Sequence, residues 1–298
     1  MAPAELTYNF LINPKSGKGK KDSRAAIISD FCRKEGLSYK IFYTEYPGHA
    51  KELAEKITAE DQVIVAVGGD GTIHEIAAGI KDSPGCLGLL PAGSGNGLAR
   101  HLGISMDMKQ ALSQLTRSSP VKMDLLIVND QLSINIAGIG FDGYIAGAFA
   151  NQTSRGLAGY AKLITKNFFN YREFDFELEM NQTSISGKAF SIAFCNGSQY
   201  GNQTIIAPDG EINDGLIDIV VIRKPGIIQL PRLLYQVLSG KLKSGRLVTL
   251  KKTANVSVRL KVPTDLQVDG EFAGQVKNLS IQVKPSTLNI LRPIAGSN

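Results

Sequence analysis

At 298 residues the chain can hold one large domain or two ordinary ones. Its 43% hydrophobic and 20% charged residues exclude a disordered chain, and no apolar run approaches the roughly 18 residues that a membrane span requires. Three scattered cysteines, Cys32, Cys86 and Cys195, speak against a zinc site or a disulfide framework. The stretch Met1 to Tyr8 lacks a basic segment followed by an apolar one, and the two features together predict a protein of the reducing cytosol.

The first 120 residues alternate strand and helix. Leu6 to Ile12 reads as a strand, Ser23 to Lys34 as a helix, Tyr39 to Tyr43 as a strand and Ala50 to Ile57 as a helix. Val63 to Val67 is a buried strand, Ile73 to Ile80 its helix and Cys86 to Leu90 the next strand; helices follow at Asn96 to Leu102 and Lys109 to Leu115. This rhythm predicts a parallel sheet with helices on its faces. From Val121 the pattern changes to short strands divided by turn residues. They run over Val121 to Val128, Leu132 to Ala137, Phe174 to Met180, Ser186 to Cys195, Leu216 to Ile222, Val248 to Lys252, Val256 to Leu260, Leu266 to Val268 and Leu279 to Val283, with helices near Tyr160 to Asn170 and Ile227 to Ser239. The expectation is an α/β N-terminal domain over residues 1–123 and a mostly antiparallel β domain over 124–287, with 288–298 returning to the first.

Three glycine-bearing loops stand where strands give way to helices. Gly68-Gly69-Asp70-Gly71-Thr72 offers free N–H groups at a helix start, an anion site, and glycine lets a phosphate approach the backbone. Asp70 would be repelled by such a ligand unless it handles Mg²⁺ or a polarised hydroxyl. Asn13-Pro14-Lys15-Ser16-Gly17-Lys18-Gly19-Lys20 lacks Walker A spacing but offers donors and cations; Lys18, Lys20 and Lys21 are also credible as a plain basic turn. Leu90-Pro91-Ala92-Gly93-Ser94-Gly95-Asn96-Gly97 does not fit a Rossmann fingerprint. Between Ile219 and Thr264 there are ten Lys or Arg and no acid, which suits a polyanion, either nucleic acid or an anionic membrane surface, and equally a solvated basic face.

Gly68-Gly69-Asp70-Gly71-Thr72 followed by Glu75 resembles the nucleotide signature of the diacylglycerol kinase and sphingosine kinase superfamily, to which bacterial soluble lipid kinases belong. The resemblance runs from about Asn9 to the C-terminus. It implies an NAD kinase/diacylglycerol kinase-like fold and ATP as co-substrate with Mg²⁺. Asn13, Pro14, Lys15 and Gly17, with Gly68, Gly69, Gly71, Thr72 and Glu75, would face the nucleotide. Thr44 would lie beside adenine or ribose. Gly93, Ser94 and Asn96 would form the third loop, with Ser94 on phosphate or metal-bound water and Asn96 capping the next helix or holding the loop. Many bacterial members have Asp where this chain has Gly97.

In the second half the resemblance places Asp142 of Gly138-Ile139-Gly140-Phe141-Asp142 near the acceptor lipid and Asp124 in a metal-supporting network. It implies a structural Mg²⁺ on Glu211, Asp214 and the Leu216 carbonyl, where the residues alone read equally as an Asp-Gly hairpin. Glu271 of Asp269-Gly270-Glu271 becomes the proton acceptor from the lipid hydroxyl, with Asp70 organising metal and phosphate. The implied protein is a lipid kinase acting on diacylglycerol or a sphingoid base at an anionic membrane, without a nucleic-acid partner and with monomer or homodimer left open. NAD kinase, which shares the Gly-Gly-Asp-Gly core, and a non-catalytic nucleotide- or lipid-binding regulator are the alternatives.

Overall fold

The computed structural model describes residues 6–17, 21–150, 157–181 and 183–294. Residues 1–5, Lys18 and Lys20 lie outside them, as does the side chain of Lys21. The chain divides into two compact units, residues 1–123 with 286–298, and residues 124–285.

In the first unit β1 (Thr7–Ile12), α1 (Lys21–Glu35), β2 (Ser38–Tyr43), α2 (His49–Glu55), β3 (Gln62–Gly68), α3 (Asp70–Ile80), β4 (Cys86–Pro91), α4 (Gly97–His101) and α5 (Met108–Thr116) follow one another. The strands lie in the order β2-β1-β3-β4, all parallel. β1, β3 and β4 are buried almost end to end, as strands covered on both faces must be. The chain leaves β1 towards β2 and then crosses to β3 on the other side. That reversal creates a switch point, and ligands of such sheets bind outside the carboxyl ends of the strands there. Helix α3 begins at Asp70 rather than Ile73, so Gly69 is its N-cap and Asp70, Gly71 and Thr72 lie in its first turn.

The second unit begins within β5 (Ser118–Val128) and continues through β6 (Gln131–Ser133), β7 (Ile136–Gly140), α6 (Phe141–Ala150), α7 (Leu157–Phe168), β8 (Phe174–Met180), β9 (Thr183–Ala189), β10 (Ser191–Cys195), β11 (Ile217–Ile222), α8 (Leu230–Leu238), β12 (Val248–Thr253), β13 (Asn255–Val268) and β14 (Glu271–Pro293). Its pairings are antiparallel: β12-β11-β10-β7-β13-β14, with the β8–β9 hairpin added to β13. The core is built from residues such as Ile139, Leu178, Phe194, Ile219, Val258 and Ile281. The end of β14 belongs to the first unit, where Asn289 and Ile290 pair in parallel with Cys86 and Leu87 of β4.

Three sequence expectations need correction here. The strand expected over Leu132 to Ala137 is two, because the N–H groups of Ile134, Asn135 and Ile136 donate to the Asp269 carboxylate instead of to a ladder. The strand expected over Ser186 to Cys195 breaks at Phe190, which is buried in an aromatic cluster with Phe141, Phe168 and Tyr171. Helix α6 was not expected at all. Gly143 within it is required by packing: a Cβ there would lie 2.2 Å from the Asp265 carbonyl oxygen of β13.

Candidate active site

In the first unit, three loops at the carboxyl ends of β1, β3 and β4 are tied to one another. Asn13 Nδ2 donates to Thr72 Oγ1 at 3.1 Å, while Asn13 Oδ1 accepts from the Lys15 N–H at 2.9 Å. The Ala92 N–H donates to the Gly68 carbonyl at 2.7 Å. Gly97 N–H donates to Asp70 Oδ1 at 2.8 Å. Contacts between backbones complete the junction. A Cβ on Gly93 would sit 2.5 Å from Gly69 Cα, and one on Gly17, whose φ is +71°, 2.6 Å from the Ala92 carbonyl oxygen. These glycines therefore serve loop-to-loop contact. Gly71 differs, since a Cβ there meets nothing within 4 Å. It lies in the first turn of α3, whose N-terminal end favours an anion. Pro14 and exposed Lys15 complete the first loop, and Ser94 is exposed on the third.

Other expected nucleotide residues have structural partners. Asn96 holds the loop rather than capping α4: its side chain accepts from the Gly93 N–H at 3.0 Å and donates to the Gly93 carbonyl at 2.9 Å. Glu75 accepts from the Ala50 N–H at 3.1 Å, which satisfies the start of α2, where Gly48 offers no side-chain cap. Thr44 is buried beside the end of β1, its N–H donating to the Ile12 carbonyl.

In the second unit the Asp269-Gly270 turn joins β13 to β14, with φ of 51° and 88°. Two positive φ values fit the primed hairpin turn that Asp-Gly favours. The Asp269 carboxylate accepts from Ser133 Oγ and from three backbone N–H groups at 2.9–3.2 Å. Its role in rigidifying the turn was not read from the sequence. Glu271 stands just beyond, exposed and opposite Val268.

Asp142, in the first turn of α6, is half-buried and accepts from Ser191 Oγ at 3.0 Å and from Tyr200 Oη at 2.7 Å. Burial pushes its carboxyl up to about 6, against the pull of those donors. Asp124 is also buried, and its carboxylate accepts from the Gly215 N–H at 2.7 Å. It thereby braces the turn that was expected to hold metal.

That turn does not present an open metal site. Asp214 Oδ1 accepts from the Leu216 N–H at 3.0 Å, and Asp214 Oδ2 meets Lys252 Nζ at 3.0 Å. Lys252 also reaches Asp218 at 3.1 Å and the Asp209 carbonyl at 2.8 Å. An ammonium therefore stands among the oxygens that a divalent ion would need. Among the described residues no cluster of three His, Cys, Asp or Glu is placed to hold a metal. Lys252 thus holds the turn on which the resemblance places a metal at Glu211, Asp214 and the Leu216 carbonyl.

Comparison with known proteins agrees with both units. Residues 7–128 match the diacylglycerol kinase catalytic domain, and residues 135–292 match the YegS C-terminal NAD kinase beta sandwich-like domain. The chain is 29% identical over 282 residues to a probable lipid kinase YegS-like of Pseudomonas putida, covering 93% of this chain and 92% of that protein. It is 26% identical over 273 residues to a diacylglycerol kinase of Bacillus subtilis, covering 90% of each. The crystal structure of a Bacillus anthracis diacylglycerol kinase shares the fold over 100% of both chains, with a TM-score of 0.78 at 18% identity.

Proposed function

Because the chain belongs to the diacylglycerol kinase catalytic-domain family and carries the YegS-type C-terminal domain, we propose that this kinase transfers the γ-phosphoryl group of ATP to a lipid hydroxyl. The observation that carries the reading is the junction of the three loops at the sheet's carboxyl edge, with Asp70 fixed by the Gly97 N–H. Gly69, Gly71 and the start of α3 cradle the phosphates, Lys15 and Ser94 contact them from the neighbouring loops, and Asn13, Thr72 and Asn96 keep those loops in register. Mg²⁺ bound with the nucleotide would supply charge neutralisation at the phosphates, with Asp70 the carboxylate that would hold it. The lipid oxygen attacks the γ-phosphorus, the bond to the β-phosphate oxygen breaks, ADP leaves, and Glu271 takes the hydroxyl proton.

Diacylglycerol is the first acceptor and a sphingoid base the second. The names of the relatives favour a lipid over NAD, and the exposed Glu271 on a braced turn favours a catalyst over a nucleotide-binding regulator. The test is labelled ATP offered with diacylglycerol, a sphingoid base or NAD in separate reactions. Label in a lipid phosphate supports the reading and names the acceptor. Label in NADP assigns the chain to the NAD kinases, and ATP binding without transfer in any reaction assigns it to the regulators.

A further inference from the structure

Among the described residues, Arg24 is a buried cation with no hydrogen-bond partner. It is 6% exposed, and its Nε, Nη1 and Nη2 are all sealed from solvent without a hydrogen bond. A guanidinium cannot shed its proton to escape burial, and an ion left unpaired in the interior is strongly unfavourable. An arriving counter-ion would relieve that cost.

Its position says which counter-ion. Arg24 lies one turn into α1, on the same helical face as the fully buried Ile28 and Cys32. Helix α1 follows β1 and leads into β2, which is parallel to it, so its first turn stands at the carboxyl edge of the sheet. That edge carries Asn13 to Gly17, the Gly68 to Thr72 turn and the Gly93 to Gly97 loop. Each described loop there offers N–H groups or cations, and a planar fork of five donors matches phosphate oxygens.

We infer that the Arg24 guanidinium binds the phosphate chain of the nucleotide, as a ligand that no glycine motif announces. The inference rests on the proposed ATP reading and deepens it. Because the nitrogens are sealed, the anion reaches them only with a local shift of the neighbouring chain. Apo stability and nucleotide affinity should therefore move in opposite directions when the charge is removed.

The test compares the full-length parent with Arg24→Met and Arg24→Lys. Melting temperature is measured alone and with pyrophosphate, and affinities for ATP, ADP and adenosine by calorimetry. Arg24→Met should melt at or above the parent, lose the stabilisation by pyrophosphate, and bind ATP on the order of 100-fold more weakly with adenosine affinity unchanged. Arg24→Lys should fall between the two for ATP. A lower melting temperature for Arg24→Met with parental ATP affinity would overturn the inference, and so would an equal loss of ATP and adenosine binding. A parent that binds adenosine but gains nothing from ATP or pyrophosphate would overturn the proposed function itself.

Discussion

The Asp70 carboxylate and the Gly97 backbone N–H share a 2.8 Å hydrogen bond that ties the start of α3 to the start of α4. One oxygen of Asp70 is thus committed to the scaffold, which fixes the direction of the other. This predicts a split between two substitutions. Asp70→Asn keeps an oxygen for Gly97, so its stability should stay within about 1 kcal/mol of the parent, while removal of the charge lowers turnover on the order of 10²-fold or more. Asp70→Ala should also cost about 1–3 kcal/mol of stability from the orphaned N–H. Melting curves and initial rates check both, and parental turnover in Asp70→Asn would remove the residue from the chemistry.

The glycines predict a second split. Gly93→Ala forces its Cβ against Gly69 Cα, and neither side of that contact is a flexible side chain; the variant should be less stable and bind ATP poorly. Gly71→Ala has open space and gains helix propensity, about 1 kcal/mol, so it should fold as well as the parent or better. Any loss of ATP affinity in Gly71→Ala then reports on the ligand alone. If calorimetry gives parental ATP affinity for Gly71→Ala and for Gly69→Val, the phosphates bind elsewhere.

The loops were legible because a glycine cluster between an apolar β-branched run and a helical pattern has few other uses. What joins them was not. The Asn13–Thr72 and Asp70–Gly97 bonds connect segments that only the parallel pairing brings together. The bracing role of Asp269 was not legible either, because its four donors lie more than a hundred positions earlier, at Ser133 to Ile136. Arg24, at the start of a helix, belongs to no motif. Helix α6 was hidden in part by Gly143, whose reason is a close approach to β13, a tertiary fact with no local signal.

The Asp269-Gly270-Glu271 turn separates scaffold from chemistry within three residues. Glu271→Gln should leave melting temperature and ATP binding near parental while turnover falls by roughly 10²–10⁴-fold. Asp269→Ala orphans Ser133 Oγ and three N–H groups, and should lose about 3 kcal/mol or more of stability. Should Glu271→Gln retain turnover within a few-fold of the parent, another group takes the proton.

Lys252 predicts how the second unit responds to metal. Its ammonium bridges Asp214 and Asp218, so Mg²⁺ without nucleotide should leave the parent's melting temperature unchanged. Lys252→Met leaves two partly buried carboxylates facing each other and should lower stability by about 2 kcal/mol. Added Mg²⁺ or Ca²⁺ should then recover part of the loss, since a ligand bound only by the folded state stabilises it. A parent that melts higher in Mg²⁺, with the effect abolished by Asp214→Ala, would show that the lysine yields its place to the ion.

The last prediction concerns how a protein in which no described helix can cross a membrane meets a lipid. Helix α8 packs Leu233 and Val237 inward, but Leu234, Tyr235 and Leu238 form a second apolar face that is exposed, continued by Ile227 and Ile228 at 75% and 94% exposure. The following turn is anchored on the same cluster through Leu242 and presents Lys241, Lys243 and Arg246 outward. No acid occurs from Ile219 to Thr264. Apolar side chains beside one-signed charge suit the surface of an anionic bilayer, where each cation adds about 1 kcal/mol. We therefore expect the parent to sediment with vesicles containing phosphatidylglycerol and not with pure phosphatidylcholine. Replacing the three cations by glutamine should weaken that binding on the order of 100-fold and flatten its salt dependence. Leu234→Ser with Ile228→Ser should weaken it too, at every salt concentration, and both sets should keep the parent's rate on an acceptor dispersed in detergent. Equal sedimentation of parent and variants would sink the docking surface, and a shift from dimer to monomer in the serine variant with vesicle binding unchanged would assign the face to a second copy of the chain.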